Sequence, residues 1–230
     1  MAAASLVAGV CYHRGVPMAI ICPMPMEMAP VKRRLGTIDV VTALTGVGTG
    51  RAREATERLL AANEVSHVVV VGIAGAADPA MRVGDVLVPE TMLDAATGAT
   101  YRASPLGDVE LRGTLRTSDD LLVDPGAMLE LHRGGVDAMD METSGIAEAC
   151  QRHSVPITAF RAISDTVDRP VDAHIMTMLN SDGTANVGAA LRFIVRRPWR
   201  IPHLAVLARD SQRAAVAAAK AALDAIGKAS

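Results

Sequence analysis

Aromatic side chains are nearly missing from this chain: Tyr12, Tyr101, Phe160, Phe193 and Trp199 are the only ones in 230 positions. That is too few to build the stacking platforms single-stranded nucleic acid requires. No charge of one sign dominates either, with 23 basic residues against 25 acidic ones. The balance removes the general attraction to a phosphate backbone, so nucleic acid is not an expected partner. No apolar run approaches the roughly 20 residues of a membrane span. Cysteine is limited to Cys11, Cys22 and Cys150, an odd set without a C-x-x-C, which reads as reduced thiols of a cytoplasmic protein. The six histidines show no H-x-x-x-H or H-E-x-x-H spacing, and no metal is expected. Residues 2–12 lack the basic start of a secretory signal; residues 1–15 read as a first strand or a loose extension, with a signal peptide as the lesser alternative.

What remains is a chain that is 50% apolar, enough for one domain over residues 1–230. Short apolar runs predict strands over residues 16–22, 38–44, 67–71, 83–89, 113–116 and 155–163. His67-Val-Val-Val-Val71 is the strongest, since four valines in a row suit a strand covered on both faces. Helical spacing marks residues 26–35, 51–63, 142–153, 189–196 and 209–226, with Pro30 arguing against the first because proline fits only a first turn. Residues 94–112 read as irregular. Strands alternating with helices predict an α/β protein with a mostly parallel central sheet.

Two glycine clusters interrupt this pattern. Gly46-Val-Gly-Thr-Gly50 follows a strand and opens a helix, but a dinucleotide fingerprint would need its third glycine at Arg51, and no G-K-[ST] follows. A tight turn and a loop that approaches a small anion or sugar oxygen both fit. Gly72-Ile-Ala-Gly-Ala76 ends the valine strand with almost no side-chain bulk, which suits a close approach to something crowded. Three carboxylates then stand out. Asp165 ends an apolar strand beside Ser164, where partial burial would keep its proton near neutral pH and make it a general acid. Glu142 opens a helix and could accept hydrogen bonds from vicinal hydroxyls; Glu27 lies early in another helix. A capping role serves each of them equally well.

Met139-Asp-Met-Glu-Thr-Ser-Gly-Ile-Ala147 and Val155-Pro-Ile-Thr-Ala-Phe-Arg-Ala-Ile-Ser-Asp165 resemble the V-E-M-E-A-x-x-I-A and V-P-x-x-x-x-R-A-I-S-D blocks of the nucleoside phosphorylase superfamily. The closest branch is the methylthioadenosine/S-adenosylhomocysteine nucleosidases. Gly46-Val-Gly48, Gly72-Ile-Ala-Gly75, Arg82-Val-Gly-Asp85 and Ile20-Ile-Cys-Pro-Met-Pro-Met-Glu27 match further blocks in order. The resemblance implies a three-layer α/β/α sandwich with a mostly parallel mixed sheet. It implies hydrolysis of the N-glycosidic bond of a 5′-substituted adenine nucleoside, without a cofactor, by a homodimer. Carried over by position, Asp165, held by Ser164, would serve the leaving base at N7. Glu142 and Met141 would hold the ribose, Glu27 would activate water, and Arg161 would support the pocket. Leu121 and Leu122 stand where the family packs the base. Met24, Gly48, Ile73, Ala74, Gly75, Met139 and Val167 complete the implied substrate-binding set.

The chain departs from the pattern in places. Val70 replaces an arginine that phosphorylases use for phosphate, which favours water. Ile73 replaces a serine, and the stretch between Val88 and Thr117 is shorter than in the nucleosidases. That short middle, a G-[VI]-A-G-x-x-D-P block and a late R-R-P also resemble hopanoid-associated phosphorylases. Phosphate-dependent cleavage of a bulky 5′-substituted adenosine, in a pocket including Met24, Met176 and Met178, is therefore the alternative activity. A non-catalytic nucleoside binder is the second alternative.

Overall fold

The computed structural model describes residues 16–171, 180, 182, 184, 186, 199 and 201–229. Its strands are β1 (Met18–Cys22), β2 (Val40–Leu44), β3 (Val68–Ala76), β4 (Val86–Leu87), β5 (Thr91–Asp94), β6 (Thr100–Arg102), β7 (Thr114–Thr117), β8 (Ala138–Asp140) and β9 (Ile157–Asp165). The helices are α1 (Pro25–Arg34), α2 (Thr49–Ala62), α3 (Pro125–Arg133), α4 (Thr143–Arg152) and α5 (Ile201–Ala229).

Val68 to Val71 are fully buried at the centre of one sheet. Because side chains alternate along a strand, Val69 and Val71 face one layer and Val68 and Val70 the other. The first layer holds Met28 and Val31 of α1 and Ala218, Ala222 and Ile226 of α5. The second holds Ala52, Leu59 and Leu60 of α2 and Ile146, Ala147 and Cys150 of α4. Helices therefore cover both faces, the reason consecutive valines form a strand here. The order β2-β1-β3-β8-β7-β5-β6, with β9 joining β3 and β4, is a mixed sheet. Five of its eight pairings are parallel. This is the expected α/β architecture.

Several elements differ from the sequence expectation. The strand expected over 67–71 continues through the glycine block to Ala76, because its ladder with β9 runs on to Asp165. The strand expected over 83–89 shrinks to Val86–Leu87, and the irregular 94–112 stretch contains β6. Pro30 does not stop α1: it is buried in mid-helix, so packing outweighs the one lost N–H. The last helix begins at Ile201 rather than 209. β8 and α3 were not anticipated, although Asp124 caps α3 through the Ala127 N–H and Pro125 opens it. The helix expected over 189–196 lies outside the described residues.

Two glycines explain why the valine run gives way. Gly72 lies opposite Arg161 and Gly75 opposite Asp165 in the β3–β9 ladder. A Cβ on Gly72 would stand 2.1 Å from Arg161 Nη1 and 2.6 Å from Glu27 Oε1; one on Gly75 would stand 2.9 Å from Asp165 Oδ2. The crowded group that the glycines make room for is the protein's own polar cluster. Gly72→Ala should therefore cost about 1–3 kcal/mol, read as a lower denaturation midpoint with an unchanged m-value. An unaltered midpoint would mean that Arg161 can step aside.

Candidate active site

The parallel strands β1, β2, β3 and β9 end on one side of the sheet, the edge where open α/β folds place ligands. There lies a cavity of about 210 Å³. Met24, Met26 and Glu27 come to it from the β1–α1 junction and Val47 from the loop after β2. Ile73, Ala74 and Gly75 come from β3, Leu121 from the loop after β7, and Met139 and Asp140 from β8. Met141 and Glu142 follow from the β8–α4 turn, Ser164 and Asp165 from β9, and Val171, Leu207 and Ser211 from later segments. Of the residues singled out in sequence, Met24, Glu27, Ile73, Ala74, Gly75, Leu121, Met139, Met141, Glu142, Ser164 and Asp165 are thus brought together. Gly48 instead donates its N–H to Glu142 Oε1 at 3.3 Å. Val167 is buried at 4% exposure, and neither it nor Leu122 lines the cavity. Met176 and Met178 lie outside the described residues.

Arg161 is completely buried behind this wall, and three carboxylates surround its guanidinium. Asp140 Oδ2 is 2.5 Å from Nη2, Glu142 Oε2 is 3.6 Å from Nη2, and Glu27 Oε1 is 3.9 Å from Nη1. Thr143 Oγ1 accepts from Nε and Nη2 at 3.0 and 2.8 Å and donates to Asp140. Asp140 Oδ1 also accepts from the Thr117 hydroxyl at 2.6 Å. Burial works against the guanidinium charge, and Asp140, Glu142 and Glu27 outweigh it, so its pKa is raised. Asp140 and Thr143 had no assigned role in the sequence reading. The only sequence signal was their place inside the Met139–Gly145 block.

Glu27 Oε2 accepts from the Met24 N–H at 2.7 Å and Oε1 from the Ile73 N–H at 2.8 Å. The first bond is the return half of a helix cap; the second ties α1 to β3. Burial pushes the Glu27 carboxyl up to about 7, against the pull of Arg161 and these two amides. Glu142 is raised as well, by burial and by the neighbouring charges of Asp140 and Glu27. At Asp165 the β3–β9 register slips between Ala74 and Gly75. This bulge lets consecutive residues Ser164 and Asp165 both reach the cavity. The Ser164 hydroxyl donates to Asp165 Oδ1 at 2.7 Å, and burial still raises Asp165 to about 6. Among the described residues, one grouping, Asp78, His132 and Asp137, brings possible metal-ligand atoms within 4.8 Å of one another. None of the three lines the cavity.

The arrangement can hold protons at three points near neutral pH and present anions around a forming cation. Similarity to known proteins agrees with the fold. The model of the family described as "Phosphorylase superfamily" matches residues 27–109 and 108–195, well over half of the chain. The chain belongs to the phosphorylase superfamily. Among the superfamily's curated members, the 5′-methylthioadenosine/S-adenosylhomocysteine nucleosidase of Shewanella frigidimarina is 26% identical over 192 residues, covering 67% of this chain and 82% of its own. The enzyme of that name from Exiguobacterium is 27% identical over 186 residues, 68% and 78% of the two chains. Two solved structures share the fold. The Colwellia psychrerythraea nucleosidase in complex with adenine has a TM-score of 0.68 at 20% identity, covering 95% of this chain and 98% of that one. The futalosine hydrolase of Helicobacter pylori scores 0.66 at 16% identity, with 92% and 97% covered.

The raised carboxyls give stability a pH dependence of definite sign. Glu27, Glu142 and Asp165 bind protons more tightly folded than unfolded, so the fold carries extra protons between about pH 4 and 8. Their contribution is complete below the unfolded values. It is lost as pH rises through about 6 for Asp165 and about 7 for Glu27. Glu142→Gln removes one such group while keeping its shape. Calorimetric melting temperatures of the wild type should fall between about pH 5 and 8, and those of Glu142→Gln should fall less. Parallel curves would contradict this assignment.

Proposed function

We propose that this protein hydrolyses the N-glycosidic bond of a 5′-substituted adenine nucleoside and releases the free base. The observation that carries the reading is the set of three buried carboxyls, held near neutral pKa at one cavity around one buried guanidinium. Departure of a purine leaves an oxocarbenium-like sugar, so the reaction needs a proton at the base and negative charge at the sugar. Asp165, still protonated near pH 6 and steadied by Ser164, supplies the proton to the leaving base. Glu142 accepts from the ribose hydroxyls, and beside the developing cation three carboxyls, of Asp140, Glu142 and Glu27, surround the single Arg161 guanidinium. Glu27, fixed by the Met24 and Ile73 amides, takes the proton of the attacking water. Met139, Met141 and Leu121 pack against sugar and base. The curated relatives carry nucleosidase names, and the similar Colwellia fold was solved with adenine.

Water rather than phosphate fits the electrostatics. The four charged side chains of the cavity wall, Glu27, Asp140, Glu142 and Asp165, are all acidic. The nearest guanidinium, Arg161, is spent on three of them. Val70, where phosphorylases carry an arginine, is fully buried in the sheet. A phosphate dianion finds no unpaired counter-charge among these lining residues, whereas a neutral water needs none. A cytoplasmic homodimer completes the proposal, the dimer on the family resemblance alone and the compartment on the odd set of cysteines without a C-x-x-C.

Asp165→Asn should lower kcat for adenine release by about 10²–10⁴-fold while nucleoside binding stays nearly unchanged. Chromatography of released base from a panel of 5′-substituted adenosines, with and without phosphate, checks both points. Release that requires phosphate would replace hydrolysis by phosphorolysis. No release from any member would leave a binding protein.

A further inference from the structure

Asp210 is the one charged residue of α5 that is buried, at 5% exposure, and the proposed chemistry does not use it. Aspartate is a poor helix former, and well inside a helix it caps nothing, because the surrounding amides are engaged in helical bonds. A buried carboxylate needs partners, and Asp210 has two. Arg209 reaches Oδ1 with Nε at 3.4 Å and Nη2 at 3.3 Å; Arg169 Nη2 stands 3.6 Å from Oδ2. Arg209 is the preceding residue on the same helix, so that contact constrains nothing beyond α5. Arg169 comes from the turn that follows β9. Of the two contacts, only this one ties separate parts of the chain together.

The turn begins next to Asp165. Thr166 and Arg169 pair with each other, the Arg169 N–H donating to Thr166 O at 2.9 Å and the Thr166 N–H to Arg169 O at 3.4 Å. Val167, between them, is buried. Two residues past Arg169, the Val171 N–H donates back to the Asp165 carboxylate and favours its charged form. Val171 also lines the cavity, as do Leu207 and Ser211, which flank Asp210 along α5. The other ionisable groups facing the cavity are Glu27 from α1, Asp140 from β8 and Glu142 from the β8–α4 turn; Asp168 in the turn is exposed. All are acidic, and the two donors that favour the Asp165 anion are Ser164 and Val171. With the Arg169 side chain 60% exposed, its pair with Asp210 adds little stability. What it fixes is position.

We propose that Asp210 is a positioning residue for the hydrolysis: through Arg169 it holds the turn over residues 166–171 in place beside Asp165 and against the cavity. This rests on the hydrolase reading, in which Asp165 protonates the leaving base. Without the tie the turn loosens and the Val171 amide leaves Asp165. The carboxyl then holds its proton to higher pH but is aimed less accurately at the base.

Base release is followed from about pH 5 to 9 for wild type, Asp210→Asn, Arg169→Gln and the double variant, with circular dichroism to confirm the fold. Each single variant should lower kcat about 10–100-fold, change KM far less, and move the alkaline limb of the kcat profile to higher pH. The double variant should be no worse than either single one, because both remove the same contact. Arg169→Lys should recover part of the rate. The Asp165 carboxyl is also titrated directly by carbon NMR of aspartate-labelled protein, its signal identified by its loss in Asp165→Asn. Its midpoint should rise in Asp210→Asn and in Arg169→Gln. Variants that melt lower but keep the wild-type kcat, pH profile and Asp165 midpoint overturn the proposal. So does an effect of Asp210→Asn with Arg169→Gln silent. A wild type that releases no base overturns hydrolysis instead; the NMR midpoints then decide the tie alone, and unchanged values overturn it.

Discussion

One guanidinium buried among three carboxylates sets the terms for the rest of this molecule. Arg161 cannot keep its charge away from water without partners. Asp140 answers that need directly at 2.5 Å, with Thr143 and Thr117 completing its hydrogen bonds. A buried pair of this kind is weak evidence for stability but strong evidence for a fixed arrangement, since removing either member strands the other. Once Asp140 has neutralised Arg161, Glu27 and Glu142 face it as surplus anions. Burial then pushes both carboxyls upward, and the site retains protons where ordinary carboxylates would have lost them.

The backbone is shaped around this cluster. Gly72 clears the path of Arg161 across β3, Gly75 clears Asp165, and the slip between Ala74 and Gly75 turns Ser164 and Asp165 into one opening. Glu27 is held by main-chain amides of Met24 and Ile73, so the side chain at position 73 is free to vary without loosening it. That removes the force of the serine-to-isoleucine departure for Glu27 itself. Position 73 instead contributes an apolar wall: Ile73 packs against the core on one side and borders the cavity on the other.

Sequence made some of this legible and not the rest, for physical reasons. Four valines could hardly be anything but a covered strand, and Asp165 at the end of an apolar run did sit at a sheet edge. Gly72 to Ala76 read as a strand end because local propensity penalises glycine; only the facing residues of β9 reveal why it stays in the ladder. Asp140 was silent because its role depends on Arg161, 21 positions later, meeting it in space. Pro30 misled in the other direction, as burial overrode a local rule. Helix α3 carried an Asp-Pro start at 124–125 and a basic end that local rules could have found. Leu207 and Ser211, more than 40 positions beyond Asp165, had no signal of their own.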